Sequence, residues 1–232
     1  MPKGKKTTDL NSVFFLIVAT SISVLFWFLP LTWVLLYPFR LFVTYIHEGG
    51  HALAAILTNG SVEQLVVYAN ASGETYTNGG HALLIASAGY LTSCGYGAIL
   101  LALSRHGRNA EKMLIINAVA ITAVTFAFSD DLFTIVIGIV LSVGLLIAAN
   151  ARTFWGHFLL NFLAVQCCIN AILDLRTLLH VSRTSGLHSD ALIMEKVTLI
   201  PAWLWAGTWA ILSGLFLLLG LHIYARSGGS RR

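Results

Sequence analysis

The sequence predicts an all-α polytopic membrane protein of about six to seven transmembrane helices, with a short strand or hairpin after the helix that carries its one dense cluster of ionisable residues. Three observations lead there. Of the 232 residues, 57% are hydrophobic and 10% are charged, against about 25% charged in a soluble domain. Mean hydropathy is +0.80. Apolar runs close to the ~20 residues needed to cross a bilayer recur along the chain, separated by short polar connections. Against this background His47-Glu48-Gly49-Gly50-His51 lies inside an apolar run, where ionisable groups are expensive and point to function.

The first expected span runs Val13–Leu29 and stops near Pro30. It follows a basic start without a small-x-small cleavage site, so a retained anchor is expected rather than a removed signal peptide. The second runs Leu31–Thr58, carries the histidine motif in its last third, and ends at Asn59-Gly60, a helix-stop pair. Ser61–Gly80 is more polar. Within it Val62–Tyr68 has strand composition, and Asn70, Ser72 and Gly73 read as a turn. Further spans are expected at His81–Leu103, Met113–Phe128, Leu132–Ala149, Phe154–Leu179 and Leu199–Tyr224. Ser129-Asp130-Asp131 and Asn150-Ala151-Arg152 are tight connections, and Val181–Lys196 is the longest polar one, expected at the membrane surface. No repeat or long linker occurs. The organisation is therefore a polar tail over 1–12, a single membrane-embedded domain over 13–225, and a basic tail over 226–232.

The net charge of +4 is concentrated at Lys3, Lys5 and Lys6, at Arg105, Arg108 and Lys112, and at Arg226, Arg231 and Arg232. These read as topology determinants and lipid-headgroup contacts, not as a nucleic-acid surface. With seven spans the basic N-terminus opposes the other basic segments, so charge leaves the orientation open. Cys94, Cys167 and Cys168 all lie in apolar segments without CxxC spacing and read as small buried hydrophobes.

The motif has the H-E-x-x-H form. On a helix His47 and His51 are four apart and face the same way, so both imidazoles can share one metal ion. Glu48 sits beside them, placed to accept the proton of a water activated there. Zinc suits nitrogen and carboxylate ligands, and a catalytic zinc site keeps three protein ligands and one open position. Gly49 and Gly50 permit close backbone approach, by substrate or by a packed helix. For the third ligand the leading candidate is Asp174, the acidic residue inside a confidently apolar helix. Asp190 is its rival. Otherwise Asp174 pairs with Arg176 or sits near the helix end, and Asp190 or Ser189 caps a helix. Asn170, one turn before Asp174, shares its face and suits a hydrogen bond to the ligand set or to substrate backbone. His157 and Asn161 lie about 20 Å along the same helix from Asp174, so an interhelical hydrogen bond is expected of them, as of Asn117. His81 is expected at an interface, and Trp203, Trp205 and Trp209 in an aromatic belt.

His47-Glu48-Gly49-Gly50-His51-Ala52-Leu53-Ala54-Ala55, then Ser87-Ala88-Gly89-Tyr90, then Asn170 with Asp174 resemble the site-2 protease-like intramembrane zinc metalloproteases, closest to their small branch without a PDZ domain. The resemblance covers about residues 30–210, with its specificity concentrated in the first motif. It implies Zn2+ bound by His47, His51 and a distant aspartate, with Glu48 as catalytic base. It implies transmembrane or membrane-associated protein substrates, and a substrate segment unwinding beside Ser61–Gly80, where strand addition presents an extended backbone. Asp174 is followed by Leu175 and has no proline nearby, whereas larger members carry an Asp-Gly pair. Two other readings stand beside this one: a proteolytically inactive metal-binding membrane scaffold, and a transporter, which should show internal repeats that this sequence lacks.

Overall fold

The computed structural model describes residues 16–22, 25, 33–104, 109–151, 153–181 and 189–226, with backbone alone at 33, 153, 170–181 and 225–226. Of the first expected span, residues 16–22 and 25 are helical and the remainder lies outside the described residues. Both tails fall outside as well, apart from Arg226, as do Arg105 and Arg108.

The elements follow the apolar pattern closely. Helix α1 is Trp33–Leu57. It ends because Asn59 adopts a left-handed backbone with φ of 62°, a conformation Asn tolerates well. Strands β1 (Ser61–Val67) and β2 (Gly73–Asn78) form an antiparallel hairpin. Its turn is closed by Asn70, whose side chain accepts from the Ser72 N–H at 2.9 Å, an Asx-turn bond. Helices α2 (Ala82–Ser104), α3 (Ala110–Phe128), α4 (Leu132–Asn150), α5 (Thr153–Val181), α6 (Asp190–Thr198) and α7 (Ala202–Arg226) complete the chain.

One element differs from expectation. The long polar connection Val181–Lys196 contains the start of helix α6, with the Ser189 side chain accepting from the Leu192 N–H at its N-terminus. Nine residues are too few to span a bilayer, which is why α6 left no trace in the apolar runs. Its C-terminus is tied to α7: Glu195 accepts from the Ala202 N–H at 2.8 Å, and Trp205 Nε1 donates to Thr198.

The chain is a multi-pass integral membrane protein. Among the described residues, α2, α3, α4 and α7 are each long and apolar enough to cross a membrane, and α5 adds a shorter apolar stretch, Phe154–Ile169. Large side chains such as Val119, Leu132, Ile147 and Leu218 point outward, as lipid contact requires. Helix α2 is central, packed against α1, α5 and α7. The core beneath α1 is built from Leu41, Phe42, Tyr45, Leu100, Leu101, Leu114, Leu163 and Cys168. All three cysteines are buried and free, as their apolar settings suggest.

Polar residues inside the bundle join helices. Asn117 accepts from the Tyr96 hydroxyl at 3.0 Å, and Asn161 accepts from Ser104 at 3.0 Å, the interhelical bonds expected of buried polar groups in lipid. Asn161 also donates to the His157 carbonyl at 2.8 Å. The hairpin is pinned to this scaffold mainly through β1. Ser129 donates to the Leu65 carbonyl at 2.7 Å, and Thr134 accepts from the Val67 N–H at 2.9 Å. Leu65 and Val67 are buried on the inner face. Their cross-strand partners are Thr75 and Gly73, so these two residues of β2 also look inward.

Candidate active site

Helical periodicity places His47 and His51 on one side of α1, with ring centroids 4.8 Å apart. Their Nε2 atoms meet a third group. Asp190 Oδ2 lies 3.2 Å from His47 Nε2 and 3.4 Å from His51 Nε2. His47, His51 and Asp190 form a cluster able to hold a metal, its ligand atoms all within 4.8 Å of one another. Asp190 reaches the histidines because it is the first residue of α6. Ala191 and Met194 of that helix pack against Ala86 and Tyr90 of α2 and Trp209 of α7. The partial positive charge of a helix N-terminus favours a carboxylate there. Burial opposes ionisation of Asp190, but His51 and His47 outweigh it and hold this carboxyl below the usual carboxylate range.

The ligand set is oriented from behind. His51 Nδ1 lies 2.6 Å from the Ile85 carbonyl. A carbonyl only accepts, so Nδ1 carries a proton, and this bond holds the ring with Nε2 turned toward Asp190 and His47. His47 is held by aromatic contact: Tyr90 meets it edge-on at 4.8 Å, and Trp209 stacks on Tyr90 at 4.9 Å.

Two glycines of the site are matched to their neighbours. An added Cβ on Gly89 would stand 2.5 Å from His51 Nε2 and closer still to His47 Nε2. The α2 backbone thus lies directly against the two Nε2 atoms, and only a residue without a side chain fits there. Gly50 approaches α2 so closely that an added Cβ would stand 2.8 Å from Thr92 Cβ and 2.9 Å from the Ala88 carbonyl oxygen. Of the two uses open to the motif glycines, helix packing is the one Gly50 serves.

Glu48 is buried, and the Thr75 hydroxyl of β2 donates to its Oε2 at 2.7 Å. The hairpin therefore covers the glutamate while the histidines face α2 and α6.

His47, Glu48 and His51 all lie on α1, with the two histidine rings together and Glu48 turned to the hairpin. The third member of the cluster is Asp190, the rival candidate. Asp174 and Asn170 lie on α5, with side chains outside the described residues. His81 is exposed at the start of α2 and is not part of the cluster. Trp203 is exposed, as a membrane-belt residue would be, but Trp209 is buried beside the site. Thr75 carried no sequence signal, while Gly73 read only as a turn former and Gly89 only as part of the family resemblance. Helix α6 did carry one, a Ser N-cap with Asp190 in the first turn and Lys196 in the last.

No curated relative and no solved structure matches the chain. A family model described as Peptidase M50B-like matches residues 15–220, a range that holds Glu48 and all three members of the cluster, and the chain belongs to that family.

Proposed function

We propose that the protein is a zinc metalloendopeptidase that hydrolyses peptide bonds of membrane-protein substrates within or near the bilayer. The observation that carries this reading is the meeting of two imidazole Nε2 atoms and one carboxylate oxygen, with Glu48 next to His47 in the chain. The donor set fits zinc: two imidazole nitrogens, one carboxylate, a ring orientation fixed by the Ile85 carbonyl, and a facing residue, Gly89, that puts no side chain between the two Nε2 atoms. His47, His51 and Asp190 would hold the ion. Bound there, zinc lowers the pKa of water to about 7 and polarises a carbonyl.

The chain's own residues do the rest. Glu48, one residue after a ligand and buried, accepts the proton of the attacking water and returns it to the leaving amine. Desolvation strengthens each of these electrostatic interactions. The outer edge of β2 is unpaired among the described residues and offers backbone N–H and C=O groups to an extended substrate segment next to Glu48. Asn170 remains a proposed contact to substrate or to the ligand set, from the face of α5 that it shares with Asp174.

The test is zinc content and cleavage on detergent-purified protein. Wild type should hold about one zinc per chain, lost in His51→Ala and Asp190→Ala and kept in Asp174→Ala. Zinc lost in Asp174→Ala but kept in Asp190→Ala would move the third ligand to α5. Glu48→Gln should keep zinc and abolish release of membrane-protein fragments in reconstituted vesicles. Unchanged cleavage by Glu48→Gln would end the protease reading, and a folded wild type without zinc would remove its metal.

A further inference from the structure

The geometry points to Thr75 as a positioning residue for the catalytic glutamate, holding one carboxylate oxygen and so fixing the side chain's orientation. This inference rests on the peptidase reading of Glu48. Two residues of β2, Gly73 and Thr75, are two apart and so project from the same face of the strand. Both meet Glu48. The Thr75 hydroxyl donates to Oε2 at 2.7 Å and lies 3.2 Å from the Glu48 main-chain oxygen. An added Cβ on Gly73 would stand 2.7 Å from Glu48 Cγ and 2.8 Å from Oε1. Gly73 therefore gives the side chain its room, and Thr75 engages a single oxygen of the carboxylate.

The constraint is needed because Glu48 sits on α1 with three rotatable side-chain bonds, which the helix backbone alone leaves free to turn. Without a partner a buried carboxylate would also lack a hydrogen bond. A hydroxyl donating to a charged acceptor forms a bond of the stronger kind. It neither supplies nor removes a proton net, so the general-base role of Glu48 is kept. The hairpin holding Thr75 is itself fixed, since Thr44 of α1 donates to the Ala71 carbonyl at 2.7 Å and Tyr37 to the Ala69 carbonyl at 2.8 Å. The chain is thus doubly referenced to α1, at the turn and at the glutamate.

Fluorescein-labelled β-casein, an unfolded chain that needs no unwinding, serves as probe with wild type, Glu48→Gln, Thr75→Val and Thr75→Ser in detergent. Valine keeps the β-branched shape and strand propensity and removes only the hydroxyl. In Thr75→Val kcat should fall about tenfold or more, with KM within about twofold, the pattern of a lost interaction that matters in the transition state. Zinc content and thermal stability should stay at the wild-type level. Thr75→Ser should recover kcat to within about threefold, since its hydroxyl can make the same bond. Wild-type kcat in Thr75→Val, or equal losses in both variants, would overturn the assignment. Loss of zinc or of folding in Thr75→Val would show a structural role and overturn it too. Cleavage that Glu48→Gln leaves unchanged, or none by wild type, would instead overturn the peptidase reading, and Thr75 with it.

Discussion

Replacing Gly89 with alanine tests whether the space between the histidines is a metal position or a packing gap. The new Cβ would stand 2.5 Å from His51 Nε2 and 2.6 Å from His47 Cδ2. Ordinary contact between such atoms needs about 3.5 Å, so the overlap is about 1 Å. Zinc–nitrogen bonds are about 2.0–2.1 Å long and tolerate about ±0.2 Å. The methyl group therefore enters the space a metal would take, and moving the rings aside by the overlap carries both nitrogens out of bonding range. Backbone cannot relieve the clash cheaply, because Gly50 already packs close to Ala88 and Thr92. Altering the residues around a metal's ligands costs about 10–100-fold in affinity, and displacing the ligands costs more. Gly89→Ala should thus weaken zinc binding by at least about 100-fold, or about 2.7 kcal/mol. The assay is competition with a chromophoric chelator on detergent-purified protein, beside Gly95→Ala, whose added Cβ meets nothing within 4 Å. Gly95→Ala should bind zinc as wild type does. Unchanged zinc affinity in a folded Gly89→Ala would refute the placement of the metal between His47, His51 and Asp190.

Two further predictions concern the scaffold. Asp131 caps α4 by accepting from the Thr134 N–H, bonds that hold its carboxyl below the usual range. A depressed folded-state value means that the cap adds stability above the unfolded value of about 3.9 and loses it as pH falls through the lower folded one. Asp131→Ala should raise amide exchange at Thr134 about fivefold at neutral pH, with the difference from wild type shrinking at strongly acid pH; a difference that persists there would count against the cap. Asn117 is buried and accepts from Tyr96 at 3.0 Å. Asn117→Ala should lower stability in mixed-micelle denaturation by about 0.6–1.7 kcal/mol, and an unchanged midpoint would show that the bond contributes nothing.

The helices were legible because each apolar run had to satisfy its backbone internally in lipid, which leaves few alternatives to a helix. The hairpin was legible from Val62–Tyr68 and the turn formers at Asn70 and Ser72. His47, Glu48 and His51 were legible because a helix makes their relative placement a local property. What local rules do not reach is who comes to meet them. Thr75 belongs to no motif, and its contact with Glu48 arises only when β2 closes on α1.

The third member of the cluster, Asp190, had the weaker signal in the sequence. Asp174 drew attention because a carboxylate in an apolar helix is costly and so implies a use. Asp190 lay in a polar segment, where a carboxylate implies nothing by itself. Yet a short helix can deliver a charged group at lower cost than a span can. Its first residue sits at the helix N-terminus, where the backbone dipole favours a carboxylate, and is partly covered as α6 docks on α2 and α7 through Ala191, Met194 and Trp209. The cluster of His47, His51 and Asp190 is thus completed by an act of tertiary packing rather than by insertion of a charged span. Its integrity follows from that: the ligand geometry depends on the seat of α6, which Glu195 and Thr198 fasten to α7, as much as on the motif helix.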